Sequence, residues 1–521
     1  MGRVRRAVQT AKKVSSRAER NQRRYRVWVD ALPLDDHGVL LEQQNGRTLD
    51  GNIYYVLREL LRADGYPDLH VLLVVTEAGQ ANMEAELARR GVQTKTVARG
   101  SKEYYRALAT SKYLFVDNTL PPCFAKRPGQ VLVNTWHGIP LKTLGRQEVT
   151  SAPLIGNVQR CLAVADYLIM PNASMERIMV RDYMLQGICG ARVLPLGYPR
   201  NEPFVQRRPG REGRRAYAWL PTFRMDADSR RSTPQAIRDM LAALDGKLQD
   251  DETLYFRPHP IVADRFDLSG LIHVRAFPQG VEAYEFLSTC DVLVTDYSSV
   301  MFDFALGGGK VVLAPFDKDE YERDRGLYQS MDELPFAQVN DADALLGELR
   351  SPKAYDDAGL RAAWWPYPTL GAARSLCERM IRGGAPLEGE HVVTAPDRPT
   401  ALIYSELACD LDELRSELES LAQTYAVRLA FPKECGHDRG AFLASLPQEV
   451  SYTPLQPSPA LTVGERIALA VTWHRTGAGA ARRARAALEF ERRRLFGDAR
   501  FDVVAIHDGT QRRWLALMGL M

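Results

Sequence analysis

The sequence predicts an α/β protein with two parallel, helix-covered sheets facing a cleft, and three observations carry that expectation. Short apolar runs alternate with amphipathic stretches from Val27 onward; the alternation breaks in a polar, Pro-containing segment after Pro199 and then restarts; and residues able to do chemistry stand directly behind the apolar runs. Strands separated by helices pair in parallel, and such sheets keep their ligands at the carboxyl ends of the strands.

The first alternation reads as strand Val39–Leu41, a helix entered through Asp50-Gly51-Asn52 and running to Leu61, strand Leu69–Val75, helix 80–90, strand Gln93–Val97, helix 102–110, and strands Tyr113–Asp117 and Val131–Asn134. Val164–Met170 and Arg192–Leu196 complete a Rossmann-like unit over residues 27–200. Pro199-Arg200-Asn201-Glu202-Pro203 and the polar stretch Gln206–Arg215 read as a linker, because Pro and charge interrupt both periodicities. The second unit, 201–385, reads as strand Ala216–Leu220, helix Pro234–Leu248, strands Leu254–Arg257 and His273–Arg275, helix 281–289, strand Val292–Thr295, helix 298–306, strand Val311–Ala314 and a closing helix Gly371–Arg382. Residues 386–521 form an α/β extension, either an incomplete third unit or an interaction module, with strands Thr400–Ser405 and Ala426–Phe431 and helices Asp410–Thr424 and Gly479–Phe496. His437, His474 and His507 lie here without partners nearby in sequence and receive no role.

Two histidines stand at strand ends: His137 in Asn134-Thr135-Trp136-His137-Gly138-Ile139-Pro140, and His259 in Phe256-Arg257-Pro258-His259-Pro260. A third strand-to-helix turn carries Asp296, Ser298 and Ser299. Ser and Asp cap helices in any protein, yet the same turn aims backbone N–H groups, hydroxyls and a helix N-terminus at an anion. Gly307-Gly308-Gly309-Lys310 lacks the spacing and the trailing Ser or Thr of a phosphate loop, and a helix ending in Gly accounts for it. Asp117, Asp291 and Asp303 show no metal-ligand spacing.

These residues carry a resemblance. Trp136-His137-Gly138-Ile139-Pro140-Leu141-Lys142, Pro199-Arg200-Asn201, Pro221-Thr222-Phe223-Arg224, Arg257-Pro258-His259-Pro260 and Thr295-Asp296-Tyr297-Ser298-Ser299-Val300-Met301-Phe302-Asp303 occur in the order seen in CDP-glycerol glycerophosphotransferases. With Asp50-Gly51-Asn52 they span roughly residues 30 to 385. The resemblance implies a glycosyltransferase-B (GT-B) layout, and transfer of an alditol phosphate from CDP-glycerol or a related CDP-alditol to a hydroxyl of a lipid-linked or polymer acceptor in teichoic acid-like wall synthesis. It also implies His137 as base on the acceptor side, His259 and Arg257 on the diphosphate and the departing CMP, and Asp296, Ser298, Ser299, Thr222 and Arg224 on the donor. A cationic clamp of this kind implies no cofactor and no strict metal requirement. Ile139 stands where the family usually has Thr, Glu202 where Asp is common, and Arg146-Gln147 where an acidic residue is frequent. None of these removes a proposed catalytic group, although Ile139 beside His137 is placed to reshape the acceptor pocket.

Composition fits a cytoplasmic globular enzyme, and the lipid-linked acceptors that the resemblance implies add peripheral attachment at the inner face of the cell membrane. The chain has 521 residues, 45% of them hydrophobic, which is enough for several full cores. Its seven cysteines are scattered, never spaced C-x-x-C, and point to a reducing compartment. No apolar run approaches the ~20 residues of a membrane span, and the N-terminus lacks the apolar core of a signal peptide. Net charge is only +3, but residues 1–26 hold ten Arg and Lys against Glu19. That segment reads either as a basic amphipathic helix on anionic lipid or as a solvated basic tail. Nucleic acid is disfavoured, since no aromatic residue interleaves with the charges before Tyr25. Two competing readings are a GT-B nucleotide-sugar glycosyltransferase making a surface polysaccharide, against which the five-motif order argues, and an inactive membrane-bound scaffold, against which the intact histidines and Asp296 turn argue.

Overall fold

Seven parallel strands make most of the first sheet: β1 (Asp35–Glu42), β2 (His70–Val75), β3 (Lys95–Ala98), β4 (Ser111–Val116), β5 (Val131–Asn134), β6 (Tyr167–Ile169) and β7 (Arg192–Leu194). In this computed structural model their order is β7-β6-β5-β4-β1-β2-β3. The second sheet holds β8 (Arg215–Leu220), β9 (Glu252–Phe256), β10 (Val274–Ala276), β11 (Val292–Thr295), β12 (Lys310–Leu313) and β13 (Ala337–Gln338), all parallel, in the order β10-β9-β8-β11-β12-β13. The structure describes residues 16–148, 154–207, 213–222, 229–258, 265–436, 439–457, 461–472, 478–510 and 517–518. Central strands are apolar on consecutive positions because helices cover both faces: Val39, Leu40 and Leu41 of β1, and Val292, Leu293 and Val294 of β11, are all buried.

Residues beyond 385 depart from the expected division. β14 (His391–Val392) pairs antiparallel with β7 and so finishes the first sheet. The helix Ala372–Ile381, expected to close the second unit, packs on the helix Asn52–Leu60 of the first. The rest of the extension is a third parallel sheet, β15 (Thr400–Tyr404), β16 (Ala426–Pro432), β17 (Ser451–Leu455) and β18 (Val503–Ile506), in the order β17-β16-β15-β18. The extension is thus built on α/β lines, with a parallel sheet of its own.

All three sheets reverse their winding between the first strand and a later neighbour, and one aspartate closes each switch point. Asp117 after β4 accepts from Gln44 N after β1 at 2.7 Å. Asp296 after β11 accepts from Thr222 N after β8 at 2.9 Å. Asp508 after β18 accepts from Glu406 N after β15 at 3.1 Å. Switch points are where crevices open in such sheets, so the first two fix where a ligand meets the first and second units.

The basic N-terminal segment is partly folded. A helix, Arg17–Ala31, begins at Ser16 with a reciprocal capping box to Glu19 and runs through the expected 26/27 boundary. It packs on the helix Lys102–Thr110, burying Asn21, Tyr25, Arg26 and Val29. Arg26 reaches Glu465 at 2.6 Å and lies over the Phe490 ring. The packed side of this helix thus faces protein, and Arg17, Arg20 and Arg24 are exposed.

Candidate active site

The first and second sheets point their carboxyl ends at each other, and the loop after β5 lies at the meeting point. Asn134 at the end of β5 turns its side chain back, so that Oδ1 accepts from Trp136 N at 2.9 Å. Trp136 is held at φ 52°, a left-handed conformation unusual for a bulky residue. Its ring stacks on His137, with centroids 4.4 Å apart. His137 Nδ1 lies 2.8 Å from the backbone carbonyl of Asp117. A carbonyl only accepts, so Nδ1 carries the proton and the neutral ring keeps the Nε2 lone pair free. Burial pushes the His137 pKa down to about 4, with the positive charge of Arg200 adding to it and the Asp117 carbonyl opposing it. Near neutral pH the imidazole is therefore a base with its acceptor nitrogen defined.

The Asp117 carboxylate lies behind this histidine, fully buried, and burial raises its pKa to about 7 against the opposing hydrogen bond from Gln44 N. In the sequence Asp117 reads as a strand end without metal-ligand spacing. Its contribution to His137 comes through its backbone, which has no side-chain signature.

On the facing sheet, Asp296 is buried and takes both Thr222 N and Thr222 Oγ1, while Tyr297 N donates to the same carboxylate at 2.6 Å. Tyr297 is buried as well, stacked on Tyr321 at 3.8 Å. Ser298 and Ser299 follow, half-buried, just before the short helix Val300–Leu306. Ser299 touches the His137 loop: a Cβ on Gly138 would lie 2.4 Å from Ser299 Oγ. His137 and the Asp296–Ser299 turn, remote in sequence, thus belong to one site. Arg224 and His259 lie outside the described residues.

Arg257 approaches from β9, but Asp50 of the first unit already holds it, at 2.6 Å. The other Asp50 oxygen takes Arg90 at 3.0 Å, and these two guanidinium groups hold the carboxyl below its usual range despite burial. Next to it Glu282 accepts from Gly51 N at 3.2 Å and from Tyr55 OH at 2.7 Å. Burial and the neighbouring Asp50 charge raise Glu282 to about 8. Asp50 and Gly51 thus carry polar contacts between the units.

Arg200 corrects the sequence reading most sharply. Pro199–Asn201 is a buried helical turn, and Arg200 is 5% exposed. Its Nη1 donates to the His137 carbonyl at 2.8 Å and its Nη2 to Asp303 at 2.6 Å. Asn52 Nδ2 donates to the Trp136 carbonyl at 3.0 Å, and Asn52 Oδ1 accepts from Arg200 N at 3.3 Å. The segment expected as a linker therefore forms part of the site wall. Gly307–Lys310 behaves as expected: a helix ends, Gly308 turns at φ 74°, and Lys310 opens β12.

No helix among the described residues is long and apolar enough to cross a membrane. Residues 25–363 match the family described as CDP-Glycerol:Poly(glycerophosphate) glycerophosphotransferase. A teichoic acid poly(glycerol phosphate) polymerase from Staphylococcus epidermidis is 30% identical over 285 residues, covering 49% of this chain and 38% of that protein. A teichoic acid glycerol-phosphate transferase from Staphylococcus aureus is 28% identical over 282 residues, covering 49% of this chain and 70% of that one. The chain thus spans well under half of the first relative. Among solved structures, the wall teichoic acid polymerase TagF superposes with a TM-score of 0.61 at 21% identity, over 73% of this chain and 97% of that one, and shares the two-sheet GT-B fold. With well over half of its length matched by the family, this chain belongs to the CDP-glycerol:poly(glycerophosphate) glycerophosphotransferases.

Proposed function

We propose that the protein transfers glycerol phosphate, or a related alditol phosphate, from CDP-glycerol to a hydroxyl of a lipid-linked or polymer acceptor and releases CMP. The observation that carries this reading is His137, whose Nδ1–H is taken by the Asp117 carbonyl so that Nε2 is left to accept a proton in a cleft between two Rossmann-like units. The acceptor oxygen forms a bond to the phosphorus bearing the alditol, the bridging P–O bond breaks with its electrons going to CMP, and the acceptor proton passes to His137 Nε2. Such transfer relies on alignment and on stabilising the phosphoryl oxygens. Ser298, Ser299 and Thr222 supply hydroxyls on the donor side, Asp296 orders their turn, and Arg257 supplies charge; His259 and Arg224 are assigned to the same side from their motifs. Relatives named as glycerol-phosphate and ribitol-phosphate polymerases support an alditol phosphate as the group transferred. A variant of TagF was soaked with CDPG, which supports a CDP-alditol donor.

The acceptor and the membrane belong to the same reading. Arg17, which is paired with Glu77 at 2.9 Å, and Arg20 and Arg24, all exposed on one helix, support attraction to an anionic inner leaflet, where each nearby cation contributes about 1 kcal/mol. The test is incubation of the purified protein with radiolabelled CDP-glycerol and a lipid-linked disaccharide or glycerol phosphate acceptor. Transfer with CMP release, lost in His137→Ala and His259→Ala, is the expected result. Turnover of a nucleotide sugar instead would move the chain to the glycosyltransferase reading, and turnover of CDP-ribitol alone would change the alditol.

A further inference from the structure

We propose that Arg200 is a positioning residue that sets the catalytic loop of one unit against the donor turn of the other, through its fork between the His137 carbonyl and Asp303. The inference rests on the transferase reading for its activity test and on geometry for the rest. A guanidinium presents several donors in a fixed plane, so it can hold two acceptors in one geometry. Here those acceptors belong to different sheets. The His137 carbonyl, 2.8 Å away, is on the loop after β5, and the Asp303 carboxylate, 2.6 Å away, is in the helix that follows Ser298 and Ser299. The guanidinium lies over the Tyr198 and Tyr284 rings at 5.1 and 4.9 Å, which fixes its plane.

The loop it holds needs holding. Trp136 is left-handed at φ 52°, Gly138 lies at φ 153° with Ser299 against it, and the chain between them carries the base. Asn52 secures the Trp136 carbonyl, and Arg200 secures the next one. Among the described residues the Asp117 backbone carbonyl and the Arg200 guanidinium act on the imidazole; Asp303 is paired with Arg200, and Tyr198 and Tyr284 flank it. Because Arg200 is the cation beside the imidazole, its removal both frees the loop and eases protonation of His137.

The experiment compares Arg200→Gln with the charge-balanced pair Arg200→Gln/Asp303→Asn, reading steady-state kinetics against pH, thermal melting and the His137 titration by NMR. A misplacement of 1 Å can cost about 100-fold in rate. The expected result in both variants is a kcat loss of that order with donor KM changed less than about threefold, and a His137 titration that moves up yet stays below the ordinary histidine range, because burial, its main cause, remains. The double variant covers the case in which Arg200→Gln alone unfolds by leaving Asp303 unpaired. Recovery of wild-type kcat in a stable double variant, or an unmoved His137 titration, would overturn the inference. A wild-type protein that transfers nothing from CDP-glycerol or CDP-ribitol, with the His137 titration still moved in the variants, would instead sink the transferase reading and leave the positioning role standing.

Discussion

The Asp117 carbonyl fixes the tautomer of His137 across a 2.8 Å contact, while the Asp117 carboxylate beside it is fully buried. The two residues titrate with opposite signs. The unfolded chain protonates His137 near 6.5 and the folded one near 4, so acidification through that window costs stability. Asp117 is raised from 3.8 to about 7, so its contribution is complete below 3.8 and is lost as pH rises through 7. The acid limb of kcat/KM is expected well below pH 6.5. The two windows overlap and oppose, so replacing His137 with Asn should leave a stability that falls as pH rises from 3.8 to about 7, and replacing Asp117 with Asn should leave one that falls on acidification from 6.5 to about 4. An acid limb at an ordinary histidine value would count against His137 as the base.

Gly138→Ala should damage activity more than stability. The new Cβ would meet Ser299 Oγ at 2.4 Å, and the φ of 153° is one that side chains rarely adopt. The loop must then move away from the donor turn, by enough to cost about 10- to 100-fold in kcat. A melting temperature within a few degrees of wild type alongside that loss is the expected pattern, and unchanged kcat would show that the contact does not set the site.

The sites that were legible in sequence are those whose residue type announces the chemistry and whose position follows an apolar run. His137, Thr222, Asp296 and Ser299 all stand behind strands, and parallel strands buried on both faces leave a continuous apolar signal. Arg200 was misread because Pro-Arg-Asn-Glu-Pro has the local composition of a linker, while its burial depends on Asp303, far along the chain. β13 and β14 are two residues long and carry no period. β17 contains Pro454, which suits its place at the edge of the third sheet but hides it as a strand. The same limit applies to the 385 boundary: β14 joins the first sheet by a pairing that no local pattern encodes.

Asp50 ties the two units together, and its removal should be felt both at that contact and at the donor. Its carboxylate takes Arg257 at 2.6 Å and Arg90 at 3.0 Å, with Arg90 nearly buried and Arg257 half-exposed. Asp50→Asn keeps the volume but leaves Arg257 without this counter-charge and Arg90 with only Glu86, at 2.9 Å. Fully buried pairs lose about 3–5 kcal/mol when broken, and the exposure of Arg257 lowers the expectation to on the order of 2 kcal/mol. Denaturant melts should report that loss. Donor KM should fall, because Arg257 is released toward the diphosphate; a rise in KM would mean that Asp50 instead holds Arg257 in its donor-binding pose.

Arg428 gives the third unit its grip on the first. It is buried in β16 and donates to the carbonyls of Met184 at 2.7 Å and Gln186 at 2.9 Å and to Thr453 Oγ1 at 3.0 Å. Burial alone draws its pKa down to about 9, still high enough for the guanidinium to stay charged at neutral pH. Arg146 reciprocates from the first unit, donating to the carbonyls of Leu446, Pro447 and Gln448 at 3.1, 3.2 and 3.1 Å. Arg428→Ala would take this donor from the buried Met184 carbonyl, at about 1–3 kcal/mol, while Gln186 is exposed and open to water, and relief of a buried charge offsets part of the loss. A drop in melting temperature is therefore expected, and a chain ending at residue 385 should lose more, since it also removes β14 from the first sheet. If the truncated chain melts like the full one, the third unit is carried by the first two without supporting them.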